Sequence, residues 1–125
     1  MKHEILLSAP PVVRNFLMYN ETVKGKSSKS IDEYYLDLQT FLRYLLLSRG
    51  LVSSVIEFDK IDISKVDIDL LKTVTLSDLY AFIVYCKNER GNNAATRARK
   101  VSTLRIFFKY LSSTLNNLFK KAPII

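Results

Sequence analysis

From Asn93 to Leu111 the chain reads NAATRARKVSTLRIFFKYL, and this stretch limits the possible folds more than any other. Val101, Leu104, Phe108 and Leu111 recur at three- and four-residue spacing, the pattern of one face of a helix. Arg97, Arg99, Lys100, Arg105 and Lys109 surround that stripe with no acidic residue among them. Such a helix needs a core against its apolar side and an anion against its basic side. It also lacks the i,i+4 carboxylates that usually balance a merely solvated basic helix.

The charge is concentrated here. Of the net +7, residues 92–125 supply seven Lys/Arg and no Asp/Glu. Residues 1–50 carry seven basic and five acidic groups, and residues 51–91 carry five and seven. Basicity gathered onto one element is the electrostatic footprint expected of a nucleic-acid or other acidic partner. With 125 residues, 48% hydrophobic content and only three glycines and three prolines, the chain suits one helix-rich domain. The expected division is a fraying N-terminus over residues 1–9 and a helical domain over residues 10–125. No apolar run reaches the length of a membrane span, and Ile5-Leu6-Leu7 is too short for a signal-peptide core, so a cytoplasmic location is expected. A single cysteine excludes an internal disulfide, and Cys86 reads as a small core residue. No metal-ligand spacing, Gly-rich phosphate loop or nucleophile–histidine pair is present, so no cofactor and no stand-alone enzyme are expected.

Turn and cap signals divide the rest. Pro10-Pro11 suits a helix start. After the NETVKGKSS turn, Ser30 and Glu33 have capping-box spacing and open a long helix that ends near Gly50. Ile31, Tyr34, Leu38, Phe41, Leu42 and Leu45 form its expected buried stripe, with Leu36, Tyr44 and Leu47 off it. Alternation in Ile61-Asp-Ile63 and Val66-Asp-Ile68 resembles a strand, but no second strand exists to pair with it. An extended connector with one helical turn near Asp69–Lys72 is the better reading. Thr75 to Asp78 caps a third helix, with Leu76, Leu79, Phe82, Ile83 and Cys86 inward. NERGNN is a turn, and the basic helix follows it, with Asn116-Asn117 as its expected end. The pattern predicts an all-α bundle of four to five helices.

Stepping 100° per residue around the last helix sorts its charges. Arg99 and Thr103 fall opposite the Val101/Leu104/Phe108 stripe and are expected to face out, with Thr96 nearby and Lys100 on the flank. Arg97 and Arg105 fall beside the stripe, where they can snorkel or pair with another helix. Ile106 and Tyr110 are also expected outward. Lys24, Lys26, Ser27, Ser28, Lys29 and Ser30 cluster at the start of the second long helix, where hydroxyls and backbone N–H groups can bind phosphate. Plain solvation and an ordinary N-cap explain the same residues if the turn and the last helix lie on different sides.

These segments resemble the N-terminal core-binding domain of the tyrosine recombinases and phage integrases, Xer-like members included. Arg99-Lys-Val-Ser-Thr-Leu-Arg105-Ile-Phe-Phe-Lys-Tyr-Leu111 is similar to the last helix of that domain. Ser30, Tyr34, Leu38, Phe41 and Leu45 have the spacing of its second helix, and Val74-Thr-Leu-Ser-Asp-Leu-Tyr-Ala-Phe-Ile83 resembles its third. Lys121-Ala-Pro123 departs from the family, which often has Asn-Pro there. The resemblance implies a SAM-like orthogonal bundle excised from a longer enzyme, the catalytic domain lying outside this chain and the chain itself being non-catalytic. It further implies double-stranded DNA, the parent's own catalytic domain and other protomers as partners. The expected DNA-contacting residues are Lys26, Ser27, Lys29, Ser30, Thr96, Arg97, Arg99, Lys100, Thr103 and Arg105. A competing expectation is a protein-interaction module that docks a partner through Leu36, Tyr44, Ile106 and Tyr110.

Overall fold

A computed structural model describes the backbone of residues 2–121 and the side chains of residues 2–114. Six α-helices follow one another: α1 (His3–Ser8), α2 (Pro11–Thr22), α3 (Ser28–Ser48), α4 (Ile68–Leu71), α5 (Leu76–Asn88) and α6 (Ala94–Lys121). One 3-10 turn, Phe58–Lys60, interrupts the connector, and no strand occurs among the described residues. The all-α expectation holds. The extra helix is α1, where fraying was expected: Ile5 and Ala9 enter the core, Lys2 Nζ meets Asp32 at 2.8 Å, and Ser8 hydrogen-bonds the Tyr35 hydroxyl.

Helix α3 is the centre of the bundle and packs against α2, α5 and α6. Ile31, Leu38, Phe41, Leu42 and Leu45 are buried on it as their spacing predicts, while Tyr34 is half-buried. Four aromatic rings tie the layers together. Phe16 of α2 meets Phe107 of α6 edge-on at 5.1 Å, and Phe41 of α3 meets Phe82 of α5 edge-on at 5.2 Å. Such geometry contributes about 0.5–1.5 kcal/mol per pair beyond the area it buries.

Local chemistry sets the boundaries. Gly25, with φ +68°, turns the chain into Ser27, whose Oγ accepts the Ser30 N–H at 3.2 Å. The helix therefore starts one turn before the expected Ser30 cap, because Ser27 is the first hydroxyl reached after the glycine. Asn93 Oδ1 caps α6 by accepting the Thr96 N–H, and α6 runs past Asn116-Asn117 to Lys121. In the connector, Ile61, Ile63 and Val66 point into the core without a strand partner, and Arg43 Nε donates to the Ile61 carbonyl. The expected helical turn is α4. Cys86 is fully buried, which pushes its thiol pKa up and leaves it a core residue.

The α5 start is the best-defined cap. Thr75 Oγ1 accepts the Asp78 N–H, Asp78 accepts the Thr75 N–H at 2.8 Å, and Arg49 at the end of α3 donates to the same carboxylate at 3.1 Å. These bonds, led by the Thr75 N–H, hold the Asp78 pKa below its ordinary value. A depressed folded-state pKa means the carboxylate stabilises the fold above about pH 4 and that this contribution is lost as pH falls through the folded value. Replacing Asp78 with Ala is expected to cost about 1 kcal/mol, or about 4 °C in Tm, at pH 7. In thermal melts the gap between variant and parent should close as pH falls below 4; a gap that persists at pH 2 contradicts this account.

Candidate nucleic-acid interface

The inward axis of α6 differs from the one expected. Lys100, Thr103, Leu104, Phe107 and Leu111 are its buried residues, and Val101 is exposed. The stripe is rotated by about 60° from the Val101/Leu104/Phe108/Leu111 stripe that the spacing of large residues suggests. Asp37 of α3 is the physical reason. Its carboxylate is fully buried and accepts four hydrogen bonds from α6: Arg99 Nε at 3.3 Å, Arg99 Nη2 at 2.8 Å, Lys100 Nζ at 3.2 Å and Thr103 Oγ1 at 2.7 Å. The carboxylates that α6 lacks in its own sequence are thus partly replaced by one from its neighbour.

This corrects the expected roles. Thr103 is only 2% exposed and Lys100 only 6%, and each donates to Asp37, so Thr103 faces in where its angle on the helix put it outward, and Lys100 lies inside the flank expected for it. Arg99 keeps 45% of its side chain exposed. The Asp37 hydrogen bond raises the Arg99 pKa further above its ordinary value, against an opposing effect of burial. Arg97 is half-buried and donates to the Asn92 carbonyl at 2.6 Å, which ties the start of the helix to the preceding turn. Thr96 is half-buried beside the Asn93 cap, whereas Arg105 is exposed rather than set against the core. Lys26, Ser27 and Lys29 are exposed in the α2–α3 turn and first turn of α3, and Ser30 is half-buried there. Of the residues expected to dock a protein, Leu36 is exposed; Tyr44, Ile106 and Tyr110 are half-buried.

The α2–α3 turn does lie beside α6. A cleft of about 330 Å³ is lined by Lys24 and Lys26 of the turn, Tyr19 and Phe16 of α2, Tyr34 of α3, and Ile106, Lys109 and Tyr110 of α6. Among the described residues, none of the three lysines makes an ion pair and no carboxylate lines the cleft. Ile106 and Tyr110 lie seven and eleven residues beyond Arg99, on the same flank of the helix. Tyr34 and Asp37 are likewise one turn apart on α3. A continuous strip therefore runs along the α3–α6 seam, from Lys24, Lys26 and Lys109 at one end to Arg99 at the other.

Two parts of this strip escape a reading of the sequence. Asp37 falls on the buried side of α3, three residues after Tyr34 and four before Phe41, and a lone carboxylate at such a position is the signal for it. Lys109 joins the lysines of the turn only through tertiary packing. Because Lys100 is buried, removing its counter-charge should be severe: Asp37→Ala is expected to cost about 3–5 kcal/mol in urea unfolding. Asp37→Leu combined with Lys100→Met should recover much of that loss, since apolar replacement of a whole buried pair is often neutral. A loss below about 1 kcal/mol for Asp37→Ala contradicts the buried-charge account.

Comparison with known proteins agrees with this architecture. The profile of the phage integrase N-terminal SAM-like domain matches residues 49–114, just over half of the chain. The chain is 47% identical over 119 residues to the tyrosine recombinase XerC of Caldanaerobacter subterraneus subsp. tengcongensis, covering 95% of this chain and 32% of that protein. It is 27% identical over 100 residues to the tyrosine recombinase XerD of Listeria monocytogenes serotype 4b, covering 80% and 28%. It thus spans about a third of the length of these curated relatives. No solved structure matches it significantly. The chain belongs to the phage integrase N-terminal SAM-like domain family, as a domain of the Xer-like tyrosine recombinase type.

Proposed function

We propose that this domain binds double-stranded DNA for a site-specific tyrosine recombinase, along the α3–α6 seam and the α2–α3 turn. The observation that carries the reading is the cleft in which Lys24 and Lys26 meet Lys109 with no carboxylate among its described lining residues. Unpaired ammonium groups on two elements, set at one edge of a helix pair, suit successive phosphates of a backbone. Lys29, Ser27 and Ser30 extend the same edge at the start of α3, where the helix dipole favours an anion. Arg99 lies further along the seam, and Arg105 is exposed on α6.

On this reading the strand chemistry belongs to a catalytic domain elsewhere in the parent protein, and other protomers share the DNA. Binding by the domain alone is accordingly weak, because half of a clamp forgoes the contacts of the other half. The expected result is a duplex affinity whose logarithm falls linearly with log salt, measured by fluorescence anisotropy. Lys26→Ala combined with Lys109→Ala should lower that slope by about two, whereas Lys65→Ala on the connector should leave it unchanged. No salt-dependent binding at low ionic strength, or equal effects of the two sets of variants, sinks the proposal.

A further inference from the structure

Asp37 engages only part of the Arg99 guanidinium. Nε donates to one carboxylate oxygen and Nη2 to the other, so the carboxylate occupies the side-on edge of the group. Nη1 makes no hydrogen bond among the described residues, and Nη2 has a second hydrogen to spare. Those outer hydrogens form the end-on edge, a second fork that points away from Asp37. The carboxylate is itself locked, because Lys100 and Thr103 hold it from the helix that carries Arg99. A planar guanidinium fixed along one edge has little freedom left at the other. It therefore gives up less rotamer entropy on binding than an unsupported arginine does.

The surroundings also select the ligand. Glu33 lies one turn before Asp37 on α3, close enough to act electrostatically on Arg99. An anionic phosphate placed here is repelled by both carboxylates, whereas a neutral base edge carries no net charge for them to repel. The cleft of lysines, with Lys109 nearly three turns beyond Arg99, has the opposite character: cations on flexible stems with no carboxylate among the described lining residues. Charge without fixed geometry suits phosphates, and fixed geometry with little net charge suits a base.

Resting on the DNA-binding reading above, we propose that Asp37 is a positioning residue. It holds Arg99 so that the free end-on edge offers two parallel donors to a paired acceptor on a base, for which guanine O6 and N7 in the major groove are the match. The lysine cleft anchors the backbone, and Arg99 discriminates sequence.

The test combines selection from a random duplex library with arginine side-chain NMR. Affinities for the selected and a scrambled duplex are measured across salt for the parent chain, Asp37→Asn and Arg99→Lys. Both variants are expected to lose preference for the selected duplex by roughly tenfold to a hundredfold while keeping the salt slope. Simple electrostatics predicts otherwise for Asp37→Asn, since removing a negative charge should tighten binding to both duplexes. The Arg99 Nε–H signal should report an ordered group in the parent and a mobile one in Asp37→Asn. Should Asp37→Asn fail to fold, Thr103→Val, which leaves every charge in place, should show a smaller loss of preference and of Arg99 order. Variants that retain the parent's preference overturn the proposal. A parent that selects sequence with a mobile Arg99 Nε overturns the positioning role and leaves DNA binding intact. A parent with a rigid Arg99 that binds no duplex overturns the DNA-binding reading, and Arg99's part in discrimination with it.

Discussion

One buried carboxylate sets the relation between the two long helices. Asp37 has no access to water and is satisfied entirely by groups of α6, so it must meet Arg99, Lys100 and Thr103 together or not at all. Leaving a charge unpaired at such a site costs several kcal/mol, far more than apolar contacts lose in a small shift. A slip of α6 by one turn, about 5.4 Å, would take all three partners away. Apolar contacts such as Phe41–Phe108 drive the two helices together, whereas the polar cluster defines their register and rotation.

That rotation decides which side chains reach the surface. With Lys100 and Thr103 turned in, the exposed face of α6 carries Ala98, Ser102, Arg105 and Lys109, and Arg99 lies at the seam. The cleft follows from the same setting, because Ile106, Lys109 and Tyr110 occupy the flank turned towards α2 and the α2–α3 turn. Core and surface are thus consequences of one contact. The substitution of Phe107 for Phe108 as the fully buried ring is another.

Much of the fold was legible in the sequence because its signals are local. The Thr75–Asp78 capping box, the turns at Gly25, Gly50 and Gly91, and the 3/4 spacing of Ile31, Leu38, Phe41, Leu42 and Leu45 each depend on residues a few positions apart. The connector was also readable, since Ile61 and Ile63 had no second strand to join. The site was less legible. Hydrophobic spacing ranks side chains by apolarity, so it set Val101 inside and Thr103 outside, and no local pattern in α6 reports a carboxylate sixty-odd residues earlier in the chain. The short α1 escaped for a similar reason: buried Ile5 and Ala9, the Lys2–Asp32 ion pair and the Ser8–Tyr35 hydrogen bond hold it, and none of these has a helical period.

The charge of the last helix accordingly overstates what a ligand would meet. Between Arg97 and Lys109 five basic residues occur, but Arg97 is tied to the Asn92 carbonyl, and Arg99 and Lys100 share the Asp37 carboxylate. Only Arg105 and Lys109 are exposed without an ion pair among the described residues. Counting phosphate contacts from the sequence would therefore predict too steep a salt dependence. The cations withdrawn from the surface serve instead to hold α3 and α6 in one arrangement and to fix the orientation of Arg99. On the DNA-binding reading, long-range attraction is given up in exchange for shape, and that trade suits a domain whose wider protein supplies further contacts to the same duplex. The lysines at the α2–α3 turn then matter more than their number suggests, because no carboxylate among the described residues lines the cleft they share with Lys109.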